Sequence, residues 1–279
     1  MHTLKDATRL CFDASMYVMK NEVEYGAQGI LGLLVPQANT TAEPEVQILL
    51  DPDIALLTGR MTSPGADMPE RLNDFLKNID QFISTFSNAP LSGVGFLITG
   101  STYHFEHDEE DAHFEQLSQR YGYPIISAGQ SIRRAFAALG VKRIGLVSPY
   151  PQWLTAESSN YWKRTGVQIV GTEAPQSEGG FHNIYTLRND QVLAAAKRLL
   201  PLKPDLILLA GAGMPTLGPI MALSDLGCAA ISSNFCMAWQ LMQMTSKDYL
   251  NRDALTRLMS PTAPWRKAFA LRYPSAVCL

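Results

Sequence analysis

Eight short apolar runs punctuate the chain: "ILGLLVP" (30–36), "IALLTG" (54–59), "GVGFLITG" (93–100), "PIISAG" (124–129), "RIGLVSP" (143–149), "VQIVGT" (167–172), "LILLAG" (206–211) and "AAISSN" (229–234). Their apolar positions run on without strict alternation, the pattern of strands covered on both faces. Helical patterns fill the intervals at 69–86, 109–121, 130–139, 152–165, 189–200, 215–226 and 235–245. This order predicts an α/β fold of parallel strands joined by crossover helices. Residues 1–24 and 246–279 do not fit the alternation and are expected to form helical arms that cover the sheet or a partner subunit.

An internal repeat divides the pattern. "GLLVPQANTTAE" begins at Gly32 and "GLVSPYPQWLTAE" at Gly145; each runs from a strand through proline and a polar turn to Thr-Ala-Glu at a helix start. A strand ending in small residues follows in both, so that Thr99 lies 67 positions after Gly32 and Gly211 lies 66 after Gly145. The repeat predicts two similar lobes, 25–140 and 141–245, each a parallel sheet flanked by helices, in a pseudo-two-fold arrangement. Ligands of open α/β sheets bind at the carboxyl ends of the strands. The turns at 36–41, 99–103, 149–155, 211–216 and 232–235 then become walls of one interlobe cleft.

Composition narrows the partners. With 279 residues and 46% hydrophobic content the chain can bury one large core or two modest ones. Its 23 basic and 26 acidic side chains give a net charge of -3, which provides no electrostatic footprint for nucleic acid and no polybasic patch for a membrane surface. No apolar run approaches the ~20 residues needed to cross a bilayer, and a cytoplasmic protein is expected. The four cysteines, Cys11, Cys228, Cys236 and Cys278, show no metal-ligand spacing. No metal and no cofactor are expected, and the partners expected are a small carboxylate substrate and further copies of the chain in a homo-oligomer.

The turn "PQANTTAE" (36–43) sets Asn39, Thr40 and Thr41 before a helix. Amide, hydroxyl and free backbone N–H donors at a helix N-terminus can hold a carboxylate. The same residues also suit a plain N-cap by Thr40 or Thr41. "ITGST" and "GAGMPTLG" lack the lysine and hydroxyl ending of a phosphate loop, so their glycines are read as tight turns that a ligand can approach.

"GLLVPQANTTAEPE" resembles the opening motif of maleate cis-trans isomerases, a strand ending in Pro-x-x-Asn-Thr-x-x-Glu. "TGRM" (58–61), "KRIGLVSPYPQWLT" (142–155) and "AAISSNFCMAW" (229–239) are similar to later segments of that family and of arylmalonate decarboxylases. The resemblance spans about residues 25–245 and points to the aspartate/glutamate racemase superfamily. It implies substrate contacts from Asn39, with Thr40 beside it, from Thr99, Gly100 and Ser101 on the first strand-end turn, from backbone donors at Gly211 and Ala212 on the second, and from Asn234. It also implies a carboxylate-binding phenol at Tyr150.

Members of that superfamily place cysteines on the strand-end turns, at positions that fall here on Thr99 or Ile98 and on Gly211 or Ala212, and no cysteine occurs between Cys11 and Cys228. Cys228 lies before a strand, at the end away from the cleft; Cys236 begins a helix, where the dipole can lower a thiol pKa. Proton transfer then falls to His104, whose imidazole works near neutral pH, to Tyr103 or to water. The cluster His104, His107 and Asp108 fits no metal pattern, and Glu106 to Asp111 reads as an acidic helix start. The resemblance implies a cofactor-independent lyase, decarboxylase or isomerase acting on a small carboxylic acid through an enediolate. A maleate isomerase reaction, a hydrolase using a bound water and a carboxylate-binding protein without catalysis stand beside it.

Overall fold

The structure is a computed structural model that describes residues 23–176, 183–245 and 252–277. Its first sheet holds β1 (Gly29–Pro36), β2 (Ile54–Met61), β3 (Gly93–Phe96) and β4 (Ile125–Ser127) in the order β2-β1-β3-β4. Its second holds β5 (Arg143–Val147), β6 (Gln168–Glu173), β7 (Leu206–Leu209) and β8 (Ala230–Ser232) in the order β6-β5-β7-β8. Every pairing is parallel. The two-lobed α/β fold expected from the repeat is therefore present, with the same strand order twice.

Burial follows position in the sheet. Central β3 and β7 are buried at every residue, as an apolar run without alternation requires, whereas the edge strands β2 and β6 keep partly exposed positions. Each fully buried Leu or Ile of β7 contributes about 1.5–3 kcal/mol relative to an exposed one.

The connecting helices are α1 (Ala42–Leu49), α2 (Met68–Lys77), α3 (Ile79–Ser84), α4 (His107–Tyr121), α5 (Ala128–Leu139), α6 (Gln152–Lys163), α7 (Asn189–Leu199), α8 (Leu217–Asp225) and α9 (Ser233–Gln243). Several ends are set by local chemistry. Ser127 and Gln130 form a capping box at the start of α5, and Gly122 and Gly140 end α4 and α5 in the left-handed conformation. The expected helix at 69–86 is instead two helices, because Asn78 leaves helical geometry at φ -102 and ψ 20. The expected strand at 93–100 stops at Phe96; the Leu97 N–H makes a last bond to the Leu34 carbonyl of β1 at 2.9 Å, and residues 98–101 leave the ladder to form the first strand-end turn.

α9 follows the second sheet in sequence and lies on the first. A Cβ on Gly95 of β3 would come within 2.5 Å of Met237 Sδ on α9, so glycine is what permits the helix to approach the strand this closely. Residues 252–277 contain α10 (Arg252–Met259) and α11 (Pro264–Arg272), which pack mainly on α1, α5 and α9; the Trp265 ring meets Phe235 of α9 at 6.0 Å. The expected N-terminal arm falls almost wholly outside the described residues. Among the described residues no helix is long and apolar enough to cross a membrane.

Candidate active site

The carboxyl ends of β1, β3, β5 and β7 converge on one cavity of about 70 Å³. Pro36, Gln37 and Asn39 come from the turn after β1, Leu97 and Ile98 from that after β3, Tyr150 from that after β5, and Ala212 and Gly213 from that after β7. α2 closes one side with Met68, Arg71, Leu72 and Phe75, and Ile184 and Tyr185 close another. Among the described residues the lining is mostly apolar, holds one cation and contains no carboxylate or thiol.

Asn39 is 2% exposed, and its Oδ1 accepts the N–H groups of Thr41 and Ala42 at 2.9 Å each. The cap expected from Thr40 or Thr41 is thus supplied by Asn39, while Thr40 is exposed and outside the cavity lining. Arg60, in the "TGRM" segment, donates to the Asn39 carbonyl at 2.7 Å and pairs with Glu43 at 2.6 Å, which fixes the turn from behind. Asn39 lines the cavity with its Oδ1 occupied, and no hydrogen bond of its Nδ2 is found among the described residues.

Tyr150 and Thr99 join the lobes, their hydroxyls 2.9 Å apart; Tyr150 lines the cavity, whereas Thr99, expected to contact substrate, is fully buried and lies outside the lining, its hydroxyl engaged by this contact. Thr155 Oγ1 donates to the Tyr150 carbonyl at 3.1 Å and holds the turn before α6. Burial keeps the Tyr150 phenol neutral, pushing its pKa well above 10, with the neighbouring Tyr103 adding to the shift. Tyr103 lies behind it, edge-on at 6.2 Å, 1% exposed and pushed up to about 12, again mainly by burial. Its hydroxyl is near Thr99, Ser158 and Trp162 but makes no hydrogen bond of ordinary geometry. Tyr103 is therefore packing beneath the cavity and not part of its lining.

His104, expected to point into the cleft, is exposed and stacked on Phe105 at 4.6 Å, because the turn at 101–105 carries it outward. Ser101 Oγ is spent on the Leu72 carbonyl at 2.9 Å, which anchors α2, and Gly100 is buried against Leu72 and Leu154. Neither lines the cavity. No group of metal-ligating side chains is found among the described residues.

On the second strand-end turn, Gly211 has φ +101, and a Cβ there would lie 2.8 Å from Pro149 Cγ. A side chain at 211 is excluded by conformation and by space together. Its N–H donates to Ser233 Oγ at 3.2 Å. The N–H groups of Ala212 and Gly213 have no acceptor among the described residues, leaving two consecutive donors at the cavity wall. Asn234 is fully buried behind this turn, and its Nδ2 donates to the Ala212 carbonyl at 3.3 Å and to Glu45 at 2.8 Å.

Cys236 is buried, and desolvation pushes its pKa upward, contrary to the lowering expected from its helix-start position. Cys228 lies at the amino end of β8, away from the cavity. Cys11 and Cys278 lie outside the described residues.

Arg71, the cavity's cation, was not legible as a site residue, nor was Glu45. Both interrupt an apolar helical stripe, Met68, Arg71, Leu72, Phe75 and Ala42, Glu45, Val46, Leu49, and a charge on a stripe that faces inward is the signal that marks them.

Known proteins agree with this architecture. A maleate isomerase of Geobacillus stearothermophilus is 23% identical over 235 residues, covering 76% of this chain and 90% of its own length. A crystal structure of arylmalonate decarboxylase superimposes with a TM-score of 0.66 at 16% identity, covering 78% of this chain and 92% of that one. A mutant of the Nocardia farcinica maleate cis-trans isomerase, bearing a covalently bound succinylcysteine intermediate, superimposes with a TM-score of 0.66 at 22% identity, covering 77% and 92%. The family model for arylmalonate decarboxylase matches residues 31–259, which take in both sheets and every strand-end turn of the cavity, and the chain belongs to that family.

Proposed function

We propose that the protein is a cofactor-independent enzyme that acts on a small carboxylic acid carrying a compact apolar substituent, by decarboxylation or a related enediolate-forming step. The observation that carries this reading is the meeting, in one apolar cavity, of a neutral phenol, the Asn39 amide and the paired N–H groups of Ala212 and Gly213. All are donors suited to carboxylate oxygens. Leu72, Phe75, Leu97, Ile98 and Ile184 suit the substituent, and Arg71 offsets the substrate's charge.

In a decarboxylation, the bond between the carboxyl carbon and the α-carbon breaks, CO2 leaves, and the electron pair delocalises into the remaining carboxyl group as an enediolate. Fixed donors stabilise charge developing there, each typically by about 3 kcal/mol. The Tyr150 O–H then supplies the proton to the α-carbon, and water restores it. The Nocardia relative carries its intermediate on a cysteine. Among the described residues no thiol lines the cavity, which favours the enediolate route over thiol addition.

The test is thermal shift of the purified protein with a panel of dicarboxylic and aryl-substituted acids, followed by turnover assays on those that stabilise it; saturation at 100 times Kd adds about 2.7 kcal/mol. Turnover that persists in Cys236→Ala and falls at least a hundredfold in Tyr150→Phe is expected. Unchanged turnover in Tyr150→Phe, or stabilisation by none of the acids, overturns the reading.

A further inference from the structure

Glu45 projects from α1, beside the first sheet, into the second lobe. Its Oε1 accepts the N–H groups of Thr216 at 2.5 Å and Leu217 at 3.0 Å, at the start of α8. Its Oε2 accepts Thr216 Oγ1 at 2.6 Å and Asn234 Nδ2 at 2.8 Å. The residue is 6% exposed, and its partners lie 171 to 189 positions away in the chain. A carboxylate so deeply buried is tolerable only because hydrogen-bond donors meet both oxygens.

These bonds bracket the turn that carries the cavity's paired donors. Asn234 Nδ2 divides its hydrogens between Glu45 and the carbonyl of Ala212, the peptide unit whose nitrogen is that of Gly213. Glu45 itself holds Thr216 and Leu217, where the turn becomes helix. The Asn234 Oδ1 is buried without a partner, so the amide's orientation is set by its Nδ2 contacts. The first lobe has a comparable buried network, in which Glu110 accepts from Ser127 Oγ, from the Tyr161 hydroxyl and from Arg133. That network makes no hydrogen bond to the strand-end turn at 98–101. Among the described residues the attachment of a buried acid to a cavity turn is thus particular to Glu45.

We propose that Glu45 is a positioning residue of the active site, which acts through Asn234 to aim the Ala212 and Gly213 N–H groups at the substrate carboxylate. This rests on the functional reading above. In Glu45→Gln, a carboxyl oxygen becomes an NH2 group that faces donors, so at least one of the four contacts must break and the turn loses its fixed orientation.

The test is calorimetric titration of wild-type, Glu45→Gln and Asn234→Leu proteins with phenylmalonate and maleate, and separately with the corresponding uncharged diamides. Folding is verified by circular dichroism and melting. Expected is a tenfold or greater weakening for the acids in both variants, with diamide binding changed less than twofold. A general structural role would weaken acid and diamide together; that result overturns the proposal, as does acid binding within twofold of wild type. If Glu45→Gln does not fold, Asn234→Leu decides, because it cuts the link to Ala212 and leaves Glu45 on α8. A wild type that binds neither acid overturns the functional reading and this proposal together, whereas tight wild-type binding with unaffected variants overturns this proposal alone.

Discussion

Gly211→Ala tests the turn most directly, since the residue combines positive φ with a close neighbour. At φ +101 a non-glycine residue is strained by about 1–2 kcal/mol, on the scale of left-handed backbone in general. The new Cβ would also sit 2.8 Å from Pro149 Cγ and 3.3 Å from Ile184 Cδ1, and overpacking of this kind costs about 1–3 kcal/mol. The expected loss is therefore about 2–5 kcal/mol, a large part of the roughly 5–15 kcal/mol by which domains are ordinarily stable. Relief of the overlap must displace Pro149, and with it Tyr150, whose hydroxyl would leave Thr99. Urea unfolding followed by fluorescence and circular dichroism measures the first effect, and the affinity for the best carboxylate ligand measures the second. A variant within about 0.5 kcal/mol of wild type, with unchanged affinity, would refute the argument that backbone conformation and Pro149 together exclude a side chain here.

Three further outcomes are expected. Burial raises the pKa of Glu45 from its ordinary 4.5, so the unfolded chain ionises first as pH rises and the stability held below pH 4.5 is lost through the folded-state pKa. The melting-temperature advantage of wild type over Glu45→Gln should accordingly be greatest below pH 4.5 and shrink towards neutrality; an advantage that grows with pH contradicts the raised pKa. Tyr161→Phe removes the phenol that donates to Glu110 and accepts from Arg133 Nε at 3.0 Å, and should cost about 1–3 kcal/mol in denaturant unfolding, with no loss opposing the view of a buried link between lobes. His104→Ala removes an exposed ring remote from the cavity and should leave turnover within twofold, whereas a hundredfold fall would restore the imidazole to the mechanism.

The fold was legible because its central strands are apolar on both faces, a requirement that writes itself directly into the sequence at β1, β3, β5 and β7. Helix breaks were less so: nothing about Asn78 marks it as the end of α2, since asparagine is tolerated in a short helix interior. At the site, Asn39, Tyr150, Ala212 and the turn around them could be placed because they follow strands immediately. The orientation of a turn could not: Thr99 and Ser101 are two residues apart, yet one meets Tyr150 while the other is tied to Leu72. Arg71 reaches the cavity from a helix that crosses it after a separate loop. That placement depends on tertiary contacts, including Gln37 Oε1 accepting the Ser63 N–H at 2.7 Å, between residues 26 positions apart.

The position of α9 on the first sheet also fixes an order of events during synthesis. All four strands of that sheet are complete once Ser127 is made, but the helix that covers β3 ends only at Gln243. At translation rates of about 5–20 residues per second the interval lasts on the order of ten seconds, during which Gly93 and Gly95 lack their contacts with Met244 and Met237. A transcript cut short before α9 would therefore yield an incomplete first lobe even though its whole sheet had been translated.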